Sequence, residues 1–182
     1  MKGFWKEYGI CINRCIFFAA SVLLLLGVDQ YAKYLADAHL KGGHSIVLIE
    51  NVFQLHYLEN RGAAFGVLQG KKLWFVAITV VMLAAMLLVY FRAPAGRRFR
   101  WLRLDLVLLT AGAIGNLVDR LTLDYVIDFF YFELINFPVF NVADIYVTIG
   151  MALLAVLILF YYREEELEML WPFRRKKRKE IS

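Results

Sequence analysis

The apolar residues of this chain are gathered into four blocks instead of recurring at the spacing of an amphipathic soluble fold. The first runs from about Cys15 to Ala36, the second from Leu73 to Phe91, the third from about Trp101 to Leu121 and the fourth from about Asp144 to Tyr162. A helix satisfies its own backbone hydrogen bonds, and roughly 20 apolar residues cover a hydrocarbon layer of ~30 Å. Each block therefore predicts a membrane-spanning helix. Between the first two blocks the pattern changes: Phe53, Leu55 and Tyr57 alternate with Gln54 and His56, and Glu50-Asn51 offers a turn. An isolated hairpin is marginal in water, so the segment from about 42 to 72 is expected to form a small β-rich layer resting on the outer membrane surface. The predicted fold class is an all-α membrane protein, a four-transmembrane-helix bundle forming one integral membrane domain over residues 1–182.

Composition agrees with this pattern. Hydrophobic residues make up 61% of the 182 positions and the mean hydropathy is +0.58, too apolar for an ordinary soluble domain. The net charge of +5 matters mainly through its placement. Lys2, Lys6 and Arg14 precede the first block, Arg92, Arg97, Arg98, Arg100 and Arg103 lie between the second and third, and a basic tail at 172–182 follows the fourth. Between Leu121 and Asp144 there is no Lys or Arg. The positive-inside rule then puts both termini and the middle loop in the cytoplasm. Juxtamembrane basic runs face anionic lipid or fix topology, so membrane lipid is the expected partner of the tail and no nucleic acid is expected. Cys11 and Cys15 sit at the cytoplasmic mouth of the first block and read as small apolar fillers in a reducing compartment. The first block is taken as a retained span, since it continues into Asp29 without a small-residue cleavage site.

Polar groups within membrane spans are costly, and here they share one level. Asp29 and Lys33 lie near the outer end of the first span, Asn116, Asp119 and Arg120 near that of the third, Asp128 soon after, and Asn141 and Asp144 at the start of the fourth. The cytoplasmic halves are nearly clean. Structural readings exist for each. Asp29 and Lys33 can form an i,i+4 ion pair, and Asp119 and Arg120 can pair with other helices. Gly112, Asn116 and Asp119 share one helical face, as a packing seam requires. Asn141 can cap the fourth helix, with Asp144 at its third position. Asp128 resists this treatment, because Val126-Ile127-Asp128-Phe129-Phe130 sets a lone acid in apolar company. Ser21, Ser45 and Ser182 are the only serines, and only Ser45 with Lys33 suggests a Ser-Lys pair. His39, His44 and His56 show no metal-ligand spacing, so no metal and no cofactor is expected. The working groups of an enzyme would be carboxylates. Two held close together keep one proton between them, and such a pair can hydrolyse an amide: one member takes a proton from water while the other donates to the scissile group.

Five stretches, in order, resemble those of lipoprotein signal peptidase, also called signal peptidase II: Asp29-Gln-Tyr-Ala-Lys33, Asn60-Arg-Gly-Ala-Ala-Phe65, Gly112-Ala-Ile-Gly-Asn-Leu-Val-Asp-Arg120, Val126-Ile-Asp-Phe129 and Phe140-Asn-Val-Ala-Asp144. They cover nearly everything from the first span to the fourth. The resemblance implies an aspartic endopeptidase whose catalytic dyad is Asp128 and Asp144. It implies supporting roles for Asp29, Lys33, Asn60, Gly112, Asn116, Asp119, Arg120 and Asn141, and a small extracytoplasmic β-cradle with a short outer helix near the Asn60-to-Phe65 motif. The implied substrate is a prolipoprotein carrying a diacylglyceryl group on its future N-terminal cysteine, cleaved just before that cysteine. The implied inhibitor is the cyclic peptide globomycin, wedged between the two aspartates. A monomer with its active site at the outer face is expected. Ile127 and Arg61 depart slightly from the family pattern, and Asp124 has no role in it. Two readings from other classes are a small proton- or ion-coupled membrane transport subunit and a non-catalytic scaffold. Against transport, the acids crowd one face of the membrane, and internal symmetry is absent.

Overall fold

A computed structural model describes residues 2–62 and 72–170. Helix α1 spans Lys2–Leu40 and leads into a β-hairpin of β1, Ile46–Ile49, and β2, Phe53–Asn60. Helices α2 (Lys72–Arg92) and α3 (Arg100–Thr122) follow, then strand β3 (Val126–Phe132), helix α4 (Val142–Val156) and the short helix α5 (Glu164–Glu168). A π-helical turn over Leu157–Tyr161 continues α4. Four helical stretches are long and apolar enough to cross a membrane: Cys11–Leu40, Lys72–Arg92, Arg97–Thr122 and Val142–Tyr161. They match the four predicted blocks, the first with extra turns at both ends and the fourth ending one residue short, at Tyr161. The expected outer helix near Asn60-to-Phe65 and the basic tail fall largely on 63–71 and 171–182, outside the described residues.

The sheet differs from expectation in one respect. It has three antiparallel strands in the order β1-β2-β3, so it is not confined to the segment 42–72: its third strand comes from between α3 and α4. The hairpin turns at Asn51, whose φ of 57° places it in the left-handed region that Asn tolerates well. Pairing runs Leu55 with Phe130 and Leu58 with Asp128, so β2 carries one extra residue, a bulge that bends the ribbon over the helix ends. Phe140 then bridges Phe130, exchanging backbone hydrogen bonds of 2.8 and 3.0 Å. The residue that next enters α4 is thereby pinned to β3.

The bundle closes around α3. One apolar cluster, with Leu102, Leu106, Val107 and Ala111 of α3, fills the half towards the α2–α3 connection, and a second, with Ala36, Leu40, Ile127 and Phe129, joins α1 to the sheet. Small residues let the backbones approach. A β-carbon added to Gly112 would lie 2.6 Å from the carbonyl oxygen of Ala143, and one on Gly115 would lie 2.6 Å from Asp29 Oδ2. Gly112, one of the predicted site residues, is thus a packing residue of the α3–α4 contact. Because a backbone carbonyl cannot step aside like a flexible side chain, Gly112→Ala is expected to destabilise the protein by about 1–3 kcal/mol. Gly27→Ala, where nothing lies within 4 Å, should be neutral; thermal unfolding of both variants in detergent checks the contrast.

Candidate active site

Strand β3 and the first turn of α4 bring Asp128 and Asp144 to one cavity of about 450 Å³, also lined by Asn60, Asn116 and Arg120 and by Ile145 and Thr148 of α4. Each carboxylate oxygen is held by an amide. Asp128 Oδ1 accepts from Asn141 Nδ2 at 2.6 Å and its Oδ2 from Asn60 Nδ2 at 2.8 Å. Asp144 Oδ1 accepts from Asn116 Nδ2 at 2.7 Å and its Oδ2 from the Asn141 backbone N–H at 3.1 Å. Asn141 side-chain oxygen accepts the Asp144 N–H at 3.0 Å, so the two residues form a capping box on α4. Asp144 thus both closes the cap and lines the cavity, while Asn141, fully buried, serves the cap and both acids from behind.

Behind this layer lies a buried ionic layer. Lys33, 2% exposed, donates to Asp29 Oδ2 and Asp119 Oδ2, each at 2.9 Å, and to Asn116 Oδ1 at 3.1 Å. The expected Asp29–Lys33 pair is present, with Asp119 as a third member. Asn116 Oδ1 also accepts from Asn141 Nδ2 at 3.1 Å, which fixes the orientation of both amides. Asp29 Oδ1 accepts the Ala143 N–H at 2.8 Å, another free donor of the first turn of α4. Asp119 Oδ2 accepts the Ile127 N–H at 3.2 Å, tying α3 to the strand that carries Asp128. Arg120 lies at the cavity wall with Nη1 donating to the Asn116 carbonyl at 3.2 Å and its guanidinium 5.0 Å from the Phe75 ring centroid. Asp124, to which no role was assigned, is bonded to Lys72 at the surface.

Burial, and after it the charge of Asp144, pushes the Asp128 carboxyl up to about 7, against the opposing pull of Asn60, Asn141 and Lys33. An acid held near neutrality beside a second carboxylate can exchange protons with substrate and water at physiological pH. Among the described residues no three His, Cys, Asp or Glu side chains converge so as to hold a metal ion.

Two features escaped the sequence reading. Gln30 bridges the ionic layer, donating from Nε2 to Asp119 Oδ1 at 2.9 Å and to the Gly115 carbonyl at 3.3 Å; its place one residue after Asp29 was the available signal. Asp105, 1% exposed on α3 without a hydrogen-bond partner among the described residues, breaks the expected clean apolar half of that span.

Comparison with known proteins identifies the family. The chain is 40% identical over 152 residues to a lipoprotein signal peptidase of Streptococcus thermophilus (strain CNRZ 1066), covering 84% of this chain and 96% of that one. It is 38% identical over 149 residues to a lipoprotein signal peptidase of Streptococcus pyogenes serotype M6, covering 82% and 95%. A bacterial membrane enzyme solved by the in meso method at 2.3 Å superposes with a TM-score of 0.71 at 31% identity, over 79% of this chain and 87% of that one. Residues 21–160 match the profile of the family described as signal peptidase (SPase) II, and the chain belongs to that family of membrane peptidases.

Proposed function

We propose that this chain is an intramembrane aspartyl endopeptidase that removes the signal peptide from diacylglyceryl-modified prolipoproteins, cutting just before the lipidated cysteine. Family membership implies prolipoprotein substrates. The observation that carries the aspartyl reading is the convergence of Asp128 and Asp144, from different elements, on one cavity through the shared amide residue Asn141. Asp128 and Asp144 are the proposed catalytic residues. Asn60, Asn116 and Asn141 orient them. Lys33, held by Asp29 and Asp119, braces Asn116 and through it Asn141, and Arg120 borders the substrate.

In the proposed reaction the pair holds one proton and titrates as a unit. The ionised member accepts a proton from water as its oxygen attacks the scissile carbonyl, and the protonated member donates to the carbonyl oxygen. Collapse breaks the C–N bond, and the proton taken from water passes to the leaving nitrogen. The wall of Ile145, Thr148 and Ile149 on α4 gives an apolar substrate a lateral approach. The enzyme is read as a monomeric single domain with both termini cytoplasmic and the cavity at the outer face. Globomycin would compete for the space between the two acids.

The first test is a gel-shift cleavage assay on a purified prolipoprotein, with and without prior diacylglyceryl transfer. Wild type should cleave only the lipidated form, and Asp128→Asn and Asp144→Asn should each lose at least about a thousandfold in rate while remaining folded. Cleavage surviving either substitution would remove that aspartate from the mechanism.

A second expectation concerns pH. The Asp128 carboxyl is raised from 3.8 to about 7, so the folded state holds this proton more tightly than the unfolded chain. The associated stability is fully present below pH ~4 and is lost as pH rises through about 7. Thermal unfolding from pH 4 to 8 should follow that slope in wild type and flatten in Asp128→Asn, while wild-type kcat/KM should fall above pH ~7 as the shared proton leaves. Equal slopes in the two proteins would show that Asp128 is not the titrating group.

A further inference from the structure

At the opposite end of the bundle from the two acids, three arginines meet in a second cavity. It has a volume of about 370 Å³ and is lined by Arg14 of α1, Arg100 and Arg103 at the start of α3, and by Asn13, Phe17 and Leu104. Part of this charge has a structural use. The last carbonyls of a helix carry partial negative charge and need donors. Arg14 Nη2 donates to the Tyr90 carbonyl at 2.5 Å, and Arg103 to the carbonyls of Pro94, Ala95 and Gly96, at 3.3 Å for Ala95.

Capping α2 does not require three guanidinium groups. Among the described residues none of the three lies within ion-pair distance of a carboxylate, and no acid lines the cavity. Arg14 Nε is shielded from solvent without a hydrogen-bond partner there. Its guanidinium is further walled by the Tyr90 ring, 5.4 Å away, while Arg100 lies 4.6 Å from the Trp101 ring. Like charges gathered where aromatic rings displace water repel one another until an anion joins them. A phosphate diester fits: it is small, carries one charge, and accepts from arginine forks and from the Asn13 amide. The remaining walls identify its source. Phe17 and Leu104, 49% and 42% exposed, continue the cavity onto the apolar flank of the bundle, so a headgroup in the cavity would leave its acyl chains against lipid-facing residues.

The geometry points to a binding site for the phosphate of an anionic phospholipid, held by Arg14, Arg100 and Asn13 between the ends of α1, α2 and α3. Assigning it to the cytoplasmic leaflet rests on the topology proposed above; the binding itself does not. Residues of the proposed active site take no part in it. The bound lipid would offset part of the cluster's charge and fasten α1 to the α2–α3 turn.

The test is native mass spectrometry of the full chain released from nanodiscs containing equal phosphatidylglycerol and phosphatidylcholine, alongside cleavage activity and thermal unfolding. Wild type should retain one phosphatidylglycerol in preference to phosphatidylcholine. The double variant Arg14→Gln, Arg100→Gln, which leaves the Arg103 cap in place, should bind it about thirtyfold more weakly. The control Arg97→Gln, Arg163→Gln, of equal charge loss, should bind as wild type does. Equal retention of the two lipids, or an unchanged preference in the Arg14/Arg100 variant, overturns the site. Loss of the lipid on adding 10 mM inorganic phosphate would make it a free-phosphate site and overturn the lipid assignment. Because the readout is bound mass, cleavage-inactive wild type that still retains the lipid would count against the peptidase reading alone.

Discussion

A lysine ammonium removed from water has to be surrounded by acceptors, and the interior of this protein is organised around that requirement at Lys33. With 2% of its surface exposed, it draws Asp29 from its own helix, Asp119 from the end of α3 and Asn116 from one turn earlier on that helix. The acids it attracts have further oxygens to satisfy, and each spends them on backbone of another element. Asp29 takes the Ala143 N–H of α4 and Asp119 the Ile127 N–H of β3. One buried charge thereby sets the mutual positions of α1, α3, α4 and the strand. Breaking such a cluster by deleting one member would leave an uncompensated charge, which typically costs about 3–5 kcal/mol. Its cost in stability is bound up with its precision as a frame.

That frame reaches the acids through Asn116 and Asn141, with Asn60 of β2 as a third, separate amide, and the choice of amide over charge has a physical logic. A lysine or arginine in direct contact would hold a carboxylate firmly ionised. An amide donor orients the carboxylate while lowering its proton affinity only mildly, which leaves burial to dominate at Asp128. The cation stays one amide away, its field passed through Asn116. In the proposed reaction this separation is what allows one acid to remain protonated beside a nearby lysine. The sheet contributes in the same spirit: Phe140 pairs with Phe130, and the short path from β3 to α4 carries both acids on one continuous stretch of chain.

Much of this was legible in the residues. The four spans follow from runs of apolar side chains that nothing else in a short chain could bury, and the hairpin from the alternation around Leu55 with Asn51 at its turn. The shared level of the polar residues pointed to one site, and the five motifs named its family. What the sequence left open is non-local. That Val126–Phe132 adds to the hairpin could have been suspected from its β-branched and aromatic content, yet its partner lies some seventy positions earlier in the chain. Whether Asn141 caps a helix or serves the acids could not be decided from spacing, because its oxygen caps α4 while its amide donates to Asp128. The packing seam read at Gly112 acquires its partner only in the folded backbone, which sets the Ala143 carbonyl against it. Asp105 carried no periodic signal that would distinguish it from a surface acid at the membrane edge.

The double duty of Asn141 and Asp144 bears on how this site could respond to selection by an inhibitor. A compound anchored on the two acids would touch Asp144, whose side chain also accepts the Asn141 N–H at the start of α4, with Asn141 bonded behind it to Asp128. Replacing Asp144 to evade the compound would remove a proposed catalytic group and weaken the start of α4 together, so drug-resistant alleles would have few routes through this position. Escape would be channelled to the apolar wall at Ile145, Thr148 and Ile149, whose side chains line the cavity and make none of the hydrogen bonds that hold the two acids. An inhibitor that gains little of its affinity from that wall would leave the organism little room to adapt.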